Sequence, residues 1–268
     1  MALIGTPIFM LRRKTMTSLK KTHSQIIDEV LKYINLESDQ FILKGGTALY
    51  KCYGLDRFSE DIDLDALSNQ NIFNIIEQYC HKKKYPFNIQ KNTGTVKRIT
   101  IKYVETLDKD IEKDFETHGL KIETSYRRKG FIPSDILTTV NGIKTYKISE
   151  LFKQKIGAYN NRYKLRDLYD ICYIYLNFKD KLTADNILSL IDAFSYKGLG
   201  EVDALLFQDS DPLIDNDKLG NEVLNVYDSL GLLEDKPTSL KERLEERIKV
   251  RENKEKNKTL KNTNDLSR

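Results

Sequence analysis

Asp61 and Asp63 stand two residues apart in the run Ser59-Glu60-Asp61-Ile62-Asp63-Leu64, where carboxylates alternate with aliphatics. Alternation of this kind is a strand pattern, and residues i and i+2 of a strand leave the same face, so both carboxylates can share a divalent cation or a pair of them. Upstream lies Lys44-Gly45-Gly46-Thr47. Its two glycines remove Cβ atoms just before a helix start, where free N–H groups and the helix dipole favour a phosphate, and the Thr47 hydroxyl can add a donor. Arg57 and Ser59 fall between the two segments, and a guanidinium grips phosphate oxygens bidentately. Alone, an Asp-x-Asp strand or a Gly-Gly turn is commonly plain structure. Their joint occurrence points to chemistry on a metal-bound triphosphate, Mg²⁺ or Mn²⁺ being the fitting ions. The glycines do not form a Walker A loop or a Rossmann fingerprint.

Such chemistry calls for a third carboxylate on a neighbouring strand, to complete the metal cage and draw a proton from an attacking hydroxyl. Glu123, in Leu120-Lys121-Ile122-Glu123-Thr124, alternates with aliphatics and is the leading candidate; a solvated edge-strand glutamate is the bland alternative. Glu105 and Asp108 stand at the end of their strand and fit less well.

A second constellation follows in 150–170. Lys155 and Arg162 are seven apart and share a helix face, and Arg166 and Asp170 extend the line if the helix is unbroken. Cations in a row make a rail for phosphates. A solvated helix face laced with charge pairs is the alternative, and Asp167 could instead cap a new helix after an Asn160-Asn161 break.

The runs Lys44-Gly45-Gly46-Thr47-Ala48-Leu49 and Leu55-Asp56-Arg57-Phe58-Ser59-Glu60-Asp61-Ile62-Asp63-Leu64 resemble the AbiEii family of nucleotidyltransferase toxins from abortive-infection toxin–antitoxin systems. The likeness covers most of 40–175. Lys155 to Arg162, then Arg166-Asp167-Leu168-Tyr169-Asp170, is similar to the family's second motif region. The resemblance implies an α+β fold, with a polymerase-β-like mixed sheet, flanking helices and a helical C-terminal domain. It further implies that Lys155 binds the triphosphate with Asp167 or Asp170 in support, the choice between them staying open. It implies an NTP as substrate, the 3′ end of tRNA as acceptor, a role in phage defence, and a winged-helix antitoxin as partner. The alternatives are a transferase acting on a protein or small molecule, and a non-catalytic interaction protein that keeps the fold.

The elements that must position these residues are legible in part. Leu19, Ile26, Ile27, Val30, Leu31 and Ile34 predict an amphipathic helix over 17–36. Phe41-Ile42-Leu43 reads as a short strand or a helix end, Thr47–Tyr53 as a helix stopped near Gly54, and 70–82 as another helix. Arg98–Val104 and Leu120–Tyr126 read as strands. Helices are expected over 149–161, 166–178, 184–195 and 217–230, with Gly198, Gly200 and Pro212 in the gaps. The expected organisation is a catalytic domain over 1–145, a helical domain over 146–240 that completes the site, and a charged tail over 241–268.

Bulk properties set outer limits. The chain has 268 residues, 40% of them hydrophobic, enough for a real core. Lys and Arg outnumber Asp and Glu by 44 to 40, too mild an excess to identify a nucleic-acid binder. Cys52, Cys80 and Cys172 are odd in number and scattered, which argues against a disulfide framework or a zinc site. No apolar run reaches the roughly 20 residues of a membrane span, so a cytoplasmic protein is expected. Tyr169 and Tyr173 read as core, the histidines as structural, and Lys82-Lys83-Lys84 and Arg127-Arg128-Lys129 as exposed charge where RNA backbone contacts would be sought first.

Overall fold

The computed structural model describes the backbone of residues 8–103 and 119–233, and the side chains of 20–103 and 119–233. Leu19's side chain, Glu105, Asp108 and the tail expected over 241–268 lie outside the described residues. The chain divides into two compact units, Met1–Leu151 and Phe152–Arg268.

In the first unit, Ile26, Ile27, Val30, Leu31 and Ile34 form the buried stripe of helix α1 (Ile8–Glu37), spaced at three and four as burial of one helix face requires. Strand β1 (Phe41–Lys44) follows, with its first three side chains buried. Helix α2 (Gly45–Tyr53) begins at once and ends on Gly54, whose left-handed backbone closes the last turn. Next come strand β2 (Ile62–Ala66) and helix α3 (Ile72–Lys83), the latter capped by the Asn71 side chain on the Phe73 N–H. Strands β3 (Phe87–Asn92), β4 (Val96–Ile101), β5 (Leu120–Ser125), β6 (Leu137–Val140) and β7 (Ile143–Tyr146) complete the unit.

Among the described residues these strands make one seven-stranded sheet in the order β3-β4-β5-β2-β1-β7-β6. It is mixed, as expected: β2 runs parallel to β5 and β1 parallel to β7, and the other neighbours are antiparallel. Along β5 the inward Leu120, Ile122 and Thr124 are buried, whereas Lys121, Glu123 and Ser125 are half-buried on the other face. Helices α1 and α3 pack together and cover apolar sheet surface. At about 25 cal/mol per Å² this burial is the main force holding β2 and β5 side by side. The half-polar face of those two strands is thereby left for chemistry.

Three strands went unread in the sequence. β3 is an edge strand with five of its six side chains exposed, so no apolar alternation marks it. β6 and β7 form a hairpin around Asn141-Gly142, both at positive φ (51° and 77°), the turn chemistry that a two-residue hairpin demands.

The second unit is helical, built from α4 (Ile148–Arg162, whose first turn belongs to the first unit), α5 (Leu165–Phe178), α6 (Ala184–Gln208) and α7 (Asn216–Ser229). Leu168, Ile171, Cys172 and Ile174 of α5 are buried, as are Leu219, Val223 and Val226 of α7. Phe194 stacks on Tyr227 with ring centroids 4.8 Å apart. Helix α6 runs on past the expected stop near 195: Gly198 takes a non-helical φ of 69° and the helix resumes beyond it, so the glycine kinks the helix without ending it. No helix among the described residues is long and apolar enough to cross a membrane.

Candidate active site

Register is what assembles the acidic face. Asp63 on β2 pairs with Glu123 on the parallel β5 and with Lys44 on the antiparallel β1, so all three side chains emerge from one side of the sheet. The Asp63 carboxyl is held above its ordinary range, first by burial and then by the negative charge of Asp61; Lys44 opposes the shift and Glu123 adds to it. Ionised Asp63 is thus short of positive charge.

Asp61, expected within the strand, stands one residue before β2 and pairs with Lys121 of β5. Glu123 takes both Nε and Nη2 of Arg98, its direct partner across β4 and β5. It is not an edge-strand residue, because β5 lies between β4 and β2. Neither Arg98 nor Lys121 was expected to take part; cross-strand pairing of a cation with each candidate carboxylate becomes visible only once the register is known.

The glycine turn abuts these carboxylates. Gly45 has a φ of 72°, and a Cβ there would lie 2.9 Å from Asp63 Oδ2. A Cβ on Gly46 would lie 2.9 Å from Ser59 Oγ and 3.0 Å from an Arg57 guanidinium nitrogen. Glycine is therefore required twice, by backbone angle and by close approach. The first turn of α2 starts from Lys44 with no side-chain cap, leaving its N–H groups to another acceptor. The expectation that the Thr47 hydroxyl faces a phosphate is corrected. Thr47 is buried, and its hydroxyl lies 2.8 Å from Ser59 Oγ and within bonding reach of the Asp61 carbonyl, tying α2 to the strand instead. Arg57 and Ser59 are buried against the same turn and act as its backing.

One neighbour of the candidate site carried no expectation. The alternation continues one step beyond Asp63, to Asp65, which is buried and accepts Lys44 Nζ at 2.6 Å and the Tyr146 hydroxyl at 2.7 Å. Lys44 therefore stands across from Asp63 while its ammonium is held by Asp65. Burial and the Asp65 charge push the Tyr146 hydroxyl far above the ordinary tyrosine range.

In the second unit, Lys155 Nζ meets Asp170 Oδ2 at 2.6 Å and Asp167 Oδ1 at 3.3 Å, and Arg162 forks onto Asp167 at 2.6 and 2.8 Å. Both aspartates are buried, so both gather on Lys155. Burial raises the Asp167 carboxyl, but hydrogen bonding from Arg162 and the charges of Lys155 and Arg162 outweigh it and leave the group below its ordinary range. The expected rail does not extend to Arg166. Tyr163, at a φ of 47°, breaks the chain between α4 and α5, and Arg166 pairs with Asp211. The break comes after Asn160-Asn161, and Lys164, not Asp167, stands at the N-cap position of α5, with no side-chain cap bond.

Other chemistries find no support among the described residues. Burial pushes the Cys52 and Cys80 thiols up to about 12, so neither supplies a thiolate nucleophile at neutral pH. His23 is buried and its pKa lowered, chiefly by that burial, with Nε2 on the Glu60 carbonyl at 2.7 Å and Nδ1 bonded by Tyr103; it braces the segment entering Asp61. No three His, Cys, Asp or Glu side chains are gathered into a cation cage among the described residues. The expected trio of Asp61, Asp63 and Glu123 is thus not closed, because Lys121 and Arg98 hold its two outer members. The inner member still suits a hard divalent cation: Asp63 is buried beside the negative charges of Asp61 and Glu123.

Two solved structures share this architecture. JHP933 from Helicobacter pylori matches with a TM-score of 0.60 and 25% identity, over 80% of this chain and 94% of that one. A second H. pylori protein, described as a candidate nucleotidyltransferase, matches with a TM-score of 0.59 and 25% identity, over 81% and 98%. No curated protein matches the sequence. Residues 30–225 match the family described as nucleotidyl transferase AbiEii toxin, type IV toxin–antitoxin system, a span that holds the glycine turn, the acidic strand and the Lys155 cluster. The chain belongs to the AbiEii nucleotidyl transferase toxin family.

Proposed function

We propose that the protein transfers a nucleotide from an NTP to the 3′ end of an RNA, with tRNA as the acceptor, and that it acts as the toxin of a phage-defence pair restrained by a winged-helix antitoxin. The carrying observation is the contact of turn and carboxylate, in which a Cβ on Gly45 would approach Asp63 Oδ2 to 2.9 Å. A triphosphate on the free N–H groups of α2 would then lie beside Asp61 and Asp63.

In this reading Asp61 and Asp63 hold Mg²⁺ or Mn²⁺. Such an ion, when bound, neutralises charge on the phosphates and polarises the bond under attack. The chain's own groups do the rest. Gly45 and Gly46 let the triphosphate approach the backbone, backed by Arg57 and Ser59, and Lys44 adds positive charge beside it. In the second unit, taken by itself, Asp167 and Asp170 hold the Lys155 ammonium. The acceptor oxygen bonds to the α-phosphorus, the bond to the β-phosphate bridging oxygen breaks, and pyrophosphate leaves. The hydroxyl proton passes to a carboxylate, for which Glu123 stands in register with Asp63.

The test is incubation of the full chain with each radiolabelled NTP in turn, total cellular RNA and Mg²⁺ or Mn²⁺, with and without a chelator. Label in RNA that depends on metal supports the reading. Label in protein or added small molecules moves the acceptor, and no label in anything leaves a non-catalytic binding module.

A further inference from the structure

The segment that follows Glu123 carries a feature the nucleotide site does not use. β5 ends at Ser125, and Tyr126-Arg127-Arg128-Lys129-Gly130-Phe131 turns away from the sheet. Phe131 is 82% exposed, in a protein whose large apolar side chains are mostly buried. Arg127 and Arg128 beside it are also exposed.

This turn is held in place by its own bonds. The Tyr126 side chain is buried, its hydroxyl donates to the Gln70 carbonyl at 2.9 Å, and it accepts the Ile72 N–H at 3.1 Å. The Gly130 N–H bonds the Leu67 carbonyl at 3.0 Å, and the Phe131 N–H bonds the Arg128 carbonyl at 3.0 Å. Lys129 Nζ reaches Asn69 Oδ1 at 2.6 Å, and Arg128 stands 3.6 Å from Glu150. The fold thus fixes an aromatic ring in water, next to three cations, on a pinned turn. From Glu123 to Arg127 the chain covers four residues, at most roughly 13 Å at the usual strand rise.

We propose that this turn is the docking surface for the single-stranded end of the RNA acceptor, with Phe131 stacking on a base and Arg127 and Arg128 meeting the backbone phosphates. The inference rests on the nucleotidyl-transfer reading for its choice of RNA. The chemistry of the surface favours a nucleic acid over a protein or a membrane. An exposed aromatic ring offers a π-face to any base, and the exposed Arg127 and Arg128 beside it supply the positive charge that a phosphate backbone calls for.

The experiment is equilibrium binding of an end-labelled, short single-stranded RNA to the full chain by fluorescence anisotropy, without NTP, so that the result does not depend on turnover. Phe131→Ala is expected to weaken binding roughly tenfold, and Phe131→Tyr to restore it, with no change in thermal midpoint because the ring is exposed. Arg127→Ala is expected to weaken binding to all sequences and to lower the salt slope by about one. Binding by Phe131→Ala within twofold of the wild type, equal losses in Phe131→Ala and Phe131→Tyr, or no RNA binding by the wild type would overturn the inference. A wild type that binds RNA through this turn but transfers no label would instead sink the nucleotidyl-transfer reading, and the two failures are told apart.

Discussion

Asp63 of β2 and Glu123 of β5 stand in direct register on adjacent parallel strands, and yet only Glu123 has a guanidinium on its carboxylate. The half-buried Asp63 is left with an elevated pKa between Asp61 and Glu123. The site therefore concentrates its unneutralised charge on one residue, and several outcomes follow from that and from the glycine turn.

Asp63→Asn is expected to raise stability while removing activity. A folded-state pKa above the unfolded value of 3.8 means that Asp63 favours the folded protein fully only below that value. The contribution is lost as pH rises through the folded-state pKa, so at neutral pH the ionised group costs stability. The thermal midpoint of Asp63→Asn at pH 7 should exceed that of the wild type by about 2 °C or more, and the gap should close in acid. An unchanged or lower midpoint at pH 7 would contradict the electrostatic account of Asp63.

At Gly45 the cost runs the other way. An alanine must adopt a left-handed backbone and place its Cβ against Asp63 Oδ2, so Gly45→Ala should lose about 1–2 kcal/mol from the backbone alone. Because the displaced group is the carboxylate itself, KM for the NTP should rise with it. Denaturant titration and steady-state kinetics read the two effects; a stable variant with unchanged KM speaks against the turn as a phosphate site.

Lys155 lies between two buried aspartates, and Lys155→Ala strips its ammonium from both. Breaking one side of a buried ion pair costs roughly 3–5 kcal/mol. The midpoint of unfolding should fall by roughly 6 °C or more. A variant that melts with the wild type and only loses NTP affinity would place Lys155 purely in binding.

Acid should weaken the same cluster. Asp167 is held below its unfolded value of 3.8, so its contribution is present above that pH and disappears as pH falls through the lower folded value. A pH series of melts should show Asp167→Asn losing most stability relative to the wild type near neutrality and converging with it in acid. Parallel curves at all pH values would contradict the assignment.

The elements that form the candidate site were legible because their signals are local. Two carboxylates alternating with aliphatics, two glycines before a helix and an apolar stripe on α1 are each written within a few consecutive residues. What depended on partners distant in sequence was not legible. The cations on Asp61 and Glu123 come from strand register, and Asp65 was passed over although Asp61-Ile62-Asp63-Leu64-Asp65 spells it out, because only its burial against Lys44 and Tyr146 sets it apart. β3 hides because an exposed edge needs no pattern. The charge line to Arg166, which required an unbroken helix, stops for a local reason instead: Tyr163 breaks the helix by taking a positive φ, which a bulky side chain seldom does.

The central claim is that Asp61 and Asp63, beside the Gly45 turn, carry nucleotidyl transfer. It is tested most directly by single-turnover transfer of labelled nucleotide to RNA, comparing the wild type with Asp63→Ala at matched fold and saturating Mg²⁺. The account predicts metal-dependent labelling by the wild type and a loss of about a hundredfold or more in the variant. Equal labelling by the two proteins would contradict it.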